Sequence, residues 1–174
     1  IEIPPGIRID NIGKDQTLDG LLEAGDLDAV AVTSPPRAFL QGSPLVTRLF
    51  PDCRAIEAEY YRRTQIYPIM HMTVMRRAIY EQDPSLAVRL SQGFQAAKEL
   101  AFEDYEEGLA SLPWVNLDME FARQVLGTDV APYGIKHNAA TLAAATLYSH
   151  EQGLTKRKFA VDELFAKETL DLFS

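Results

Sequence analysis

Two kinds of hydrophobic pattern divide the chain. In its first half, residues 28–33 and 66–75 are short runs rich in β-branched, small apolar and aromatic residues, a composition typical of strands. Pro68 suits the start or edge of a strand because it cannot donate a hydrogen bond to a ladder. Residues 17–24 and 52–63 instead have helical spacing. The alternation of helix and buried strand predicts an α/β fold.

The second half has an almost wholly helical pattern. Asp83 and Pro84 stand where an N-cap and a first helical residue are expected, and an apolar stripe follows through residues 86–105. Asn116 and Asn138 are placed to cap two further helices. The pattern therefore predicts an α/β part followed by a helical C-terminal region.

Composition excludes several classes of function. The 174 residues are 47% hydrophobic and 24% charged, which suits a folded domain with its own core. A net charge of −8 and the absence of a Lys/Arg-rich run argue against a nucleic-acid partner, since phosphate binding needs a concentrated basic surface. The single Cys53 excludes an intrachain disulfide. No apolar run in this sequence is long enough to span a bilayer.

The densest candidate chemistry lies around the second predicted strand. His71 lies within it, and Arg62 and Arg63 end the helix that precedes it. Two guanidinium groups there could hold a carboxylate through paired hydrogen bonds while the imidazole transfers a proton. A structural alternative stays open, because a histidine between two methionines is typical of a core and an arginine pair of a solvated helix end.

A second candidate is the turn Ser34-Pro35-Pro36-Arg37, which follows the first predicted strand. Open α/β sheets bind ligands beyond the carboxyl ends of their strands, so Ser34 and Arg37 could contact an anionic ligand. A surface loop stiffened by its prolines explains the same residues equally well.

Cofactor motifs add no further candidate. The three histidines lack the H-x-x-H and H-E-x-x-H spacings, so no dedicated metal site is predicted. The sequence also has no phosphate-binding glycine loop and no nucleophile elbow. We therefore predict no cofactor, while a divalent metal held partly by residues outside this sequence stays open.

Residues 49–71 carry a longer signature, LFPDCRAIEAEYYRRTQIYPIMH. This stretch resembles one typical of the 4,5-dihydroxyphthalate decarboxylase family. Further segments that match the family follow in its order across nearly all of the chain, at residues 112–114, 132–134 with Asn138, 148–154 and 161–165. Two positions depart from the family pattern: Gln65 stands where glycine is usual, and Cys53 where tyrosine is common.

The resemblance implies a lobe of the type II periplasmic-binding-protein-like fold. Residues 1–65 would form the α/β part of the second lobe and the hinge region. Residues 66–174 would form a returning hinge strand and the helical C-terminal region. Because the sequence starts at Ile1 rather than at Met, we expect an N-terminal lobe outside it.

The family also implies an activity, the decarboxylation of 4,5-dihydroxyphthalate to protocatechuate and carbon dioxide. For this reaction we hypothesise that His71 donates the proton, that Arg62 and Arg63 clamp carboxylates, and that Ser34 and Thr64 form hydrogen bonds to the substrate. No organic cofactor is required. The expected partner is a small aromatic carboxylate, and assembly into a homo-oligomer stays open.

Another class of function is compatible with the same fold, because solute-binding proteins for aromatic or small organic acids share it without performing chemistry. A secretion signal ahead of this sequence would favour such a periplasmic receptor. Its absence would favour a cytoplasmic enzyme, which is the location we expect.

Overall fold

Helices form the regular structure of the described chain. The computed structural model describes residue 3, residues 5–107 and residues 112–173. The chain forms two compact units, Ile1–Ile56 and Glu57–Ser174, which we call unit 1 and unit 2.

Unit 1 contains two short helices and the first turn of a third: α1 (Leu18–Ala24), α2 (Arg37–Leu40) and α3 (Cys53–Thr64). The Thr17 side chain caps α1 by accepting a hydrogen bond from the Gly20 N–H at 3.1 Å. Gly25 ends α1 in the left-handed conformation that glycine adopts easily. The Arg37 N–H donates to Asp19 Oδ2 at 3.0 Å, which joins α2 to α1.

Unit 2 contains most of the helices. After the rest of α3 they are α4 (Arg77–Gln82), α5 (Ser85–Glu106), α6 (Val115–Leu126), α7 (Ala139–Glu151) and the 3₁₀ helices η1 (Val161–Leu164) and η2 (Lys167–Thr169). The long helix α5 contacts α4, α6 and η2, and α7 contacts η1. All the regular secondary structure of the described residues in unit 2 is helical. Among the helices of the described residues, none has the length and apolar content needed to cross a membrane.

The predicted α/β fold is wrong. The described residues contain no strand, and neither the hinge strands nor a lobe of the periplasmic-binding-protein type is seen. Residues 28–33 and 66–75 have no regular secondary structure. Branched and aromatic residues favour a half-buried surface in general, and they form a strand only where a second segment completes the ladder. The predicted boundary after residue 65 and the N-terminal lobe outside this sequence stay predictions.

Few side chains are buried among the described residues, and all of them except Leu142 are small. Ala38 is buried in unit 1. Ala58 on α3 and Thr141, Leu142 and Thr146 on α7 are buried in unit 2, so α7 contributes most of the buried residues of that unit.

Candidate functional site

A cavity of about 730 Å³ lies in unit 2 with His71 in its wall, and we call it the His71 groove. Its walls come from residues 69–75, α4, α5, α7, the turn at residues 132–134 and residues 163–173. Most of the lining side chains are apolar. This volume is in the range of small-molecule sites, and a mainly apolar wall with a few polar groups is typical of them.

A second cavity, of about 490 Å³, lies between α5 and α6. Glu106 and Arg123 line it and form an ion pair with each other. It contains no histidine and none of the site residues predicted from the sequence. The candidate site is therefore the His71 groove.

The His71 side chain is exposed in the groove. Within the described residues it has no hydrogen bond or ion pair, so both ring nitrogens are available to a ligand. One contact anchors the segment that carries it, because the Tyr67 N–H donates to Thr141 Oγ1 of α7 at 3.0 Å. The imidazole is thus exposed, and none of the described residues holds it by a hydrogen bond or an ion pair.

The Thr64 hydroxyl forms hydrogen bonds with the backbone at the end of α3. Its hydroxyl donates to the Tyr60 carbonyl at 2.7 Å and accepts from the Ile66 N–H at 3.2 Å. Thr64 therefore closes the helix, and its predicted contact with substrate stays a prediction.

Arg62 and Arg63 do not line the His71 groove. Arg62 Nη1 lies 4.0 Å from Glu59 Oε2, and the Arg63 guanidinium lies 5.7 Å from the centre of the Tyr60 ring. Both side chains are exposed at the end of α3. The structure therefore does not bring them to His71 within this groove, and their role as carboxylate clamps stays a prediction.

Ser34 and Arg37 belong to unit 1, where both are exposed. Arg37 is the first residue of α2, so its backbone joins α1 and α2 while its side chain remains at the surface. Their contact with an anionic ligand stays a prediction.

Three groove residues escaped the sequence analysis: Arg77, Tyr80 and Lys167. Arg77 belongs to a second arginine pair, Arg76-Arg77, which lies closer to His71 in sequence than Arg62 and Arg63 do. Local sequence could have indicated Arg77 for this reason. Lys167 lies far along the chain and could be found only from the fold.

Tyr80 and Glu168 join α4 to η2. The Tyr80 hydroxyl donates to Glu168 Oε2 at 2.6 Å, across 88 residues of sequence. This hydrogen bond, followed by burial and the charge of Glu168, raises the pKa of Tyr80 above its ordinary value. The same bond lowers the pKa of Glu168, because it stabilises the carboxylate. Glu168 is therefore charged and Tyr80 protonated at neutral pH.

Lys98 and Asn138 fix the turn at residues 132–134. Lys98 Nζ lies 2.5 Å from Asp129 Oδ2 and 3.1 Å from the Ala131 carbonyl oxygen, and it lies 4.9 Å from the centre of the Tyr133 ring. The Asn138 amide donates to the carbonyls on both sides of Tyr133, each at 2.8 Å. Tyr133 is thus held in the groove wall by a cation, and its backbone by an amide.

Glu163 lines the groove, but its charge is already compensated. Two nitrogens of Arg157 donate to its two carboxylate oxygens at 2.8 and 2.7 Å, and the Ala160 N–H donates at 2.8 Å. The Arg157 hydrogen bonds, with help from Ala160, lower the pKa of Glu163 to about 2. The described residues contain no group of three or more His, Cys, Asp or Glu side chains that could hold a metal ion.

The chain has curated relatives, although no protein-family model matches it. A 4,5-dihydroxyphthalate decarboxylase from Comamonas testosteroni is 31% identical over 176 residues, which cover 99% of this chain and 53% of that protein. Another, from Pseudomonas putida, is 34% identical over 62 residues, 36% of this chain and 24% of that protein. This chain thus spans about half the length of the first relative. Over 99% of its length, the chain is therefore similar in sequence to a 4,5-dihydroxyphthalate decarboxylase.

Proposed function

We propose that the protein decarboxylates 4,5-dihydroxyphthalate to protocatechuate and carbon dioxide, with His71 as the proton donor. The names of the relatives support the reaction and the substrate. One observation carries the assignment of the site: His71 lines a cavity of small-molecule size and has no competing partner within the described residues.

The reaction needs one proton and no redox step. When a carboxylate leaves as carbon dioxide, the electron pair of the broken C–C bond stays on the ring carbon. An imidazolium at His71 gives its proton to that carbon, and the proton is recovered from solvent. A hydroxyl para to this carbon helps the ring to accept the proton.

Apolar walls promote the loss of carbon dioxide. A carboxylate is best stabilised in water, whereas the departing molecule is neutral, so removal of water favours the product side of this step. Aromatic side chains in the groove wall, at Phe94, Tyr133 and Phe165, offer faces and edges to a planar ring.

The other predicted substrate contacts have weaker support. Within this proposal, Arg62 and Arg63 remain predicted carboxylate clamps, and Ser34, Arg37 and Thr64 remain predicted polar contacts. The cytoplasmic location, the absence of a cofactor and assembly into a homo-oligomer also remain predictions.

Turnover of the full-length gene product tests the proposal. We expect release of carbon dioxide and protocatechuate from 4,5-dihydroxyphthalate. Gas capture measures the carbon dioxide, and chromatography measures the protocatechuate. His71→Gln should lower kcat by at least about 100-fold, the usual effect of losing a general acid. The variant should still be stabilised against heat by the substrate, because binding alone raises the melting temperature.

His137→Gln is the matched control, since His137 is exposed and does not line the groove. Full activity of His71→Gln would refute the assignment of the proton donor. Substrate binding by the wild-type protein without release of carbon dioxide would instead indicate a solute-binding protein.

A further inference from the structure

The fixed charges in the His71 groove are unbalanced. Arg77, Glu163 and Lys167 are the charged residues in its lining, apart from His71. Since Glu163 is held by both guanidinium nitrogens of Arg157, the two cations have no free carboxylate opposite them in the lining. The chain as a whole carries a net charge of −8, so a cationic groove is contrary to its overall charge.

Both cations are available to a ligand. Arg77 is exposed and has no hydrogen bond or ion pair to the described residues. Lys167 Nζ lies 3.9 Å from Glu168 Oε1, and its side chain is 81% exposed. Such an exposed pair is worth little, because water screens both charges. Glu168 already accepts the Tyr80 hydroxyl through its other oxygen.

The Tyr80–Glu168 hydrogen bond sets the relative position of the two cations. Arg77 and Tyr80 are three residues apart on α4 and therefore lie on one face of it. Lys167 and Glu168 are consecutive in η2. The bond between Tyr80 and Glu168 thus brings the helix turn that carries Arg77 next to the turn that carries Lys167.

We propose that Arg77 and Lys167 together bind the two carboxylates of an aromatic dicarboxylate in the His71 groove, and that Tyr80 and Glu168 position them. The planar guanidinium takes one carboxylate through two hydrogen bonds, and the ammonium takes the other as a point charge. This inference rests on the proposed function for its substrate class and specifies the groups that recognise it. The site selects dianions over monoanions.

The test compares phthalate, a dianion, with benzoate, a monoanion, by calorimetric titration of the full-length gene product. Neither probe is turned over to protocatechuate, so binding is measured apart from chemistry. We expect phthalate to bind more tightly than benzoate. Arg77→Met and Lys167→Met should each lower the affinity for phthalate about 10- to 100-fold, which is the effect of losing a hydrogen bond to a charged group. The double variant should bind both probes equally weakly.

A control variant tests whether the effect is specific to the groove. Lys136→Met removes an exposed cation that pairs with Asp171 outside the groove lining, and it should leave phthalate affinity unchanged. Full phthalate affinity in both Arg77→Met and Lys167→Met would overturn the inference.

Tyr80→Phe tests the positioning role. It keeps the ring and removes only the hydroxyl, so circular dichroism should be unchanged while the preference for phthalate over benzoate falls. An unchanged preference would overturn the positioning role. A protein that binds phthalate through Arg77 and Lys167 but releases no carbon dioxide would refute the proposed reaction and leave this site standing. If the wild-type protein releases carbon dioxide but Arg77→Met and Lys167→Met both keep full phthalate affinity, this site is refuted and the proposed reaction stands.

Discussion

The backbone N–H of Tyr67 donates to the side-chain oxygen of Thr141 at 3.0 Å, and this bond joins the segment carrying His71 to helix α7. The Thr141 side chain belongs to the small core of unit 2, with only 6% of the residue exposed. The candidate proton donor is therefore exposed, while the contact that holds its segment is partly buried.

Thr141→Val should destabilise the protein and reduce turnover. Valine has the same shape but accepts no hydrogen bond, so the Tyr67 N–H loses its partner at a cost of about 1–3 kcal/mol. Urea denaturation measures the loss. The control is Thr146→Val on the same helix, where the hydroxyl donates only to the Ala143 carbonyl of α7 itself. An equal loss in both variants would show that the Tyr67 contact has no special role.

Gln65→Ala should be less stable than both the wild type and Gln65→Gly. Gln65 has φ 56°, in the left-handed region, and its amide caps α3 by donating to the Tyr61 and Arg62 carbonyls at 3.1 and 3.3 Å. Alanine keeps the strain and loses the cap. Glycine loses the cap but relieves the strain, so we expect the free energy of unfolding of Gln65→Gly to exceed that of Gln65→Ala by about 1 kcal/mol. Chemical denaturation of the three proteins checks this order, and an alanine variant as stable as glycine would contradict it.

Gly134→Ala should destabilise the groove wall. Gly134 has φ 96°, and a Cβ there would lie 2.7 Å from the Leu172 carbonyl oxygen. We expect a loss above about 1 kcal/mol, together with weaker substrate binding. Gly93→Ala is the matched control, since Gly93 lies inside α5 with open space around it. The free energy of unfolding of Gly93→Ala should rise by about 0.5–1 kcal/mol, because alanine is the better helix former. Equal effects in thermal melts would contradict this account.

Acid should weaken the protein partly through Glu163. Its pKa falls from an ordinary 4.5 to about 2 in the folded state, because Arg157 and the Ala160 N–H stabilise the carboxylate. A depressed pKa contributes stability that is complete above pH 4.5 and is lost as the pH falls toward 2. Glu163→Gln should therefore show a flatter decline of unfolding free energy over that window than the wild type. Glu57→Gln, an exposed acid on α3, serves as the control. A slope for Glu163→Gln equal to that of the wild type would refute the contribution.

Local signals were sufficient to place several helices. The helix predicted within residues 17–24 is found as α1, whose cap at Thr17 and left-handed end at Gly25 depend only on neighbouring residues. The helix predicted after Asp83 begins at Ser85, where Asp83 accepts the Ser85 hydroxyl at 2.5 Å. Asn138 does stand before α7, but its amide holds the turn at residues 132–134 rather than the helix N–H groups.

Long-range structure was not predictable in the same way. Residues 66–75 have the composition of a strand, yet no second segment pairs with them in the described chain, and a single threonine on α7 anchors them. His71 was identified from its residue type and is found in the groove. Lys167 could not be linked to Arg77 from the sequence, because their proximity depends on a hydrogen bond between residues 88 positions apart.

The distance along the chain between the two sides of the His71 groove has a consequence for biosynthesis. A ribosome releases residues 69–75 before residues 163–173, so a nascent chain carries one wall of the site while the opposite wall does not yet exist. Ligand recognition begins only when synthesis of unit 2 is nearly finished.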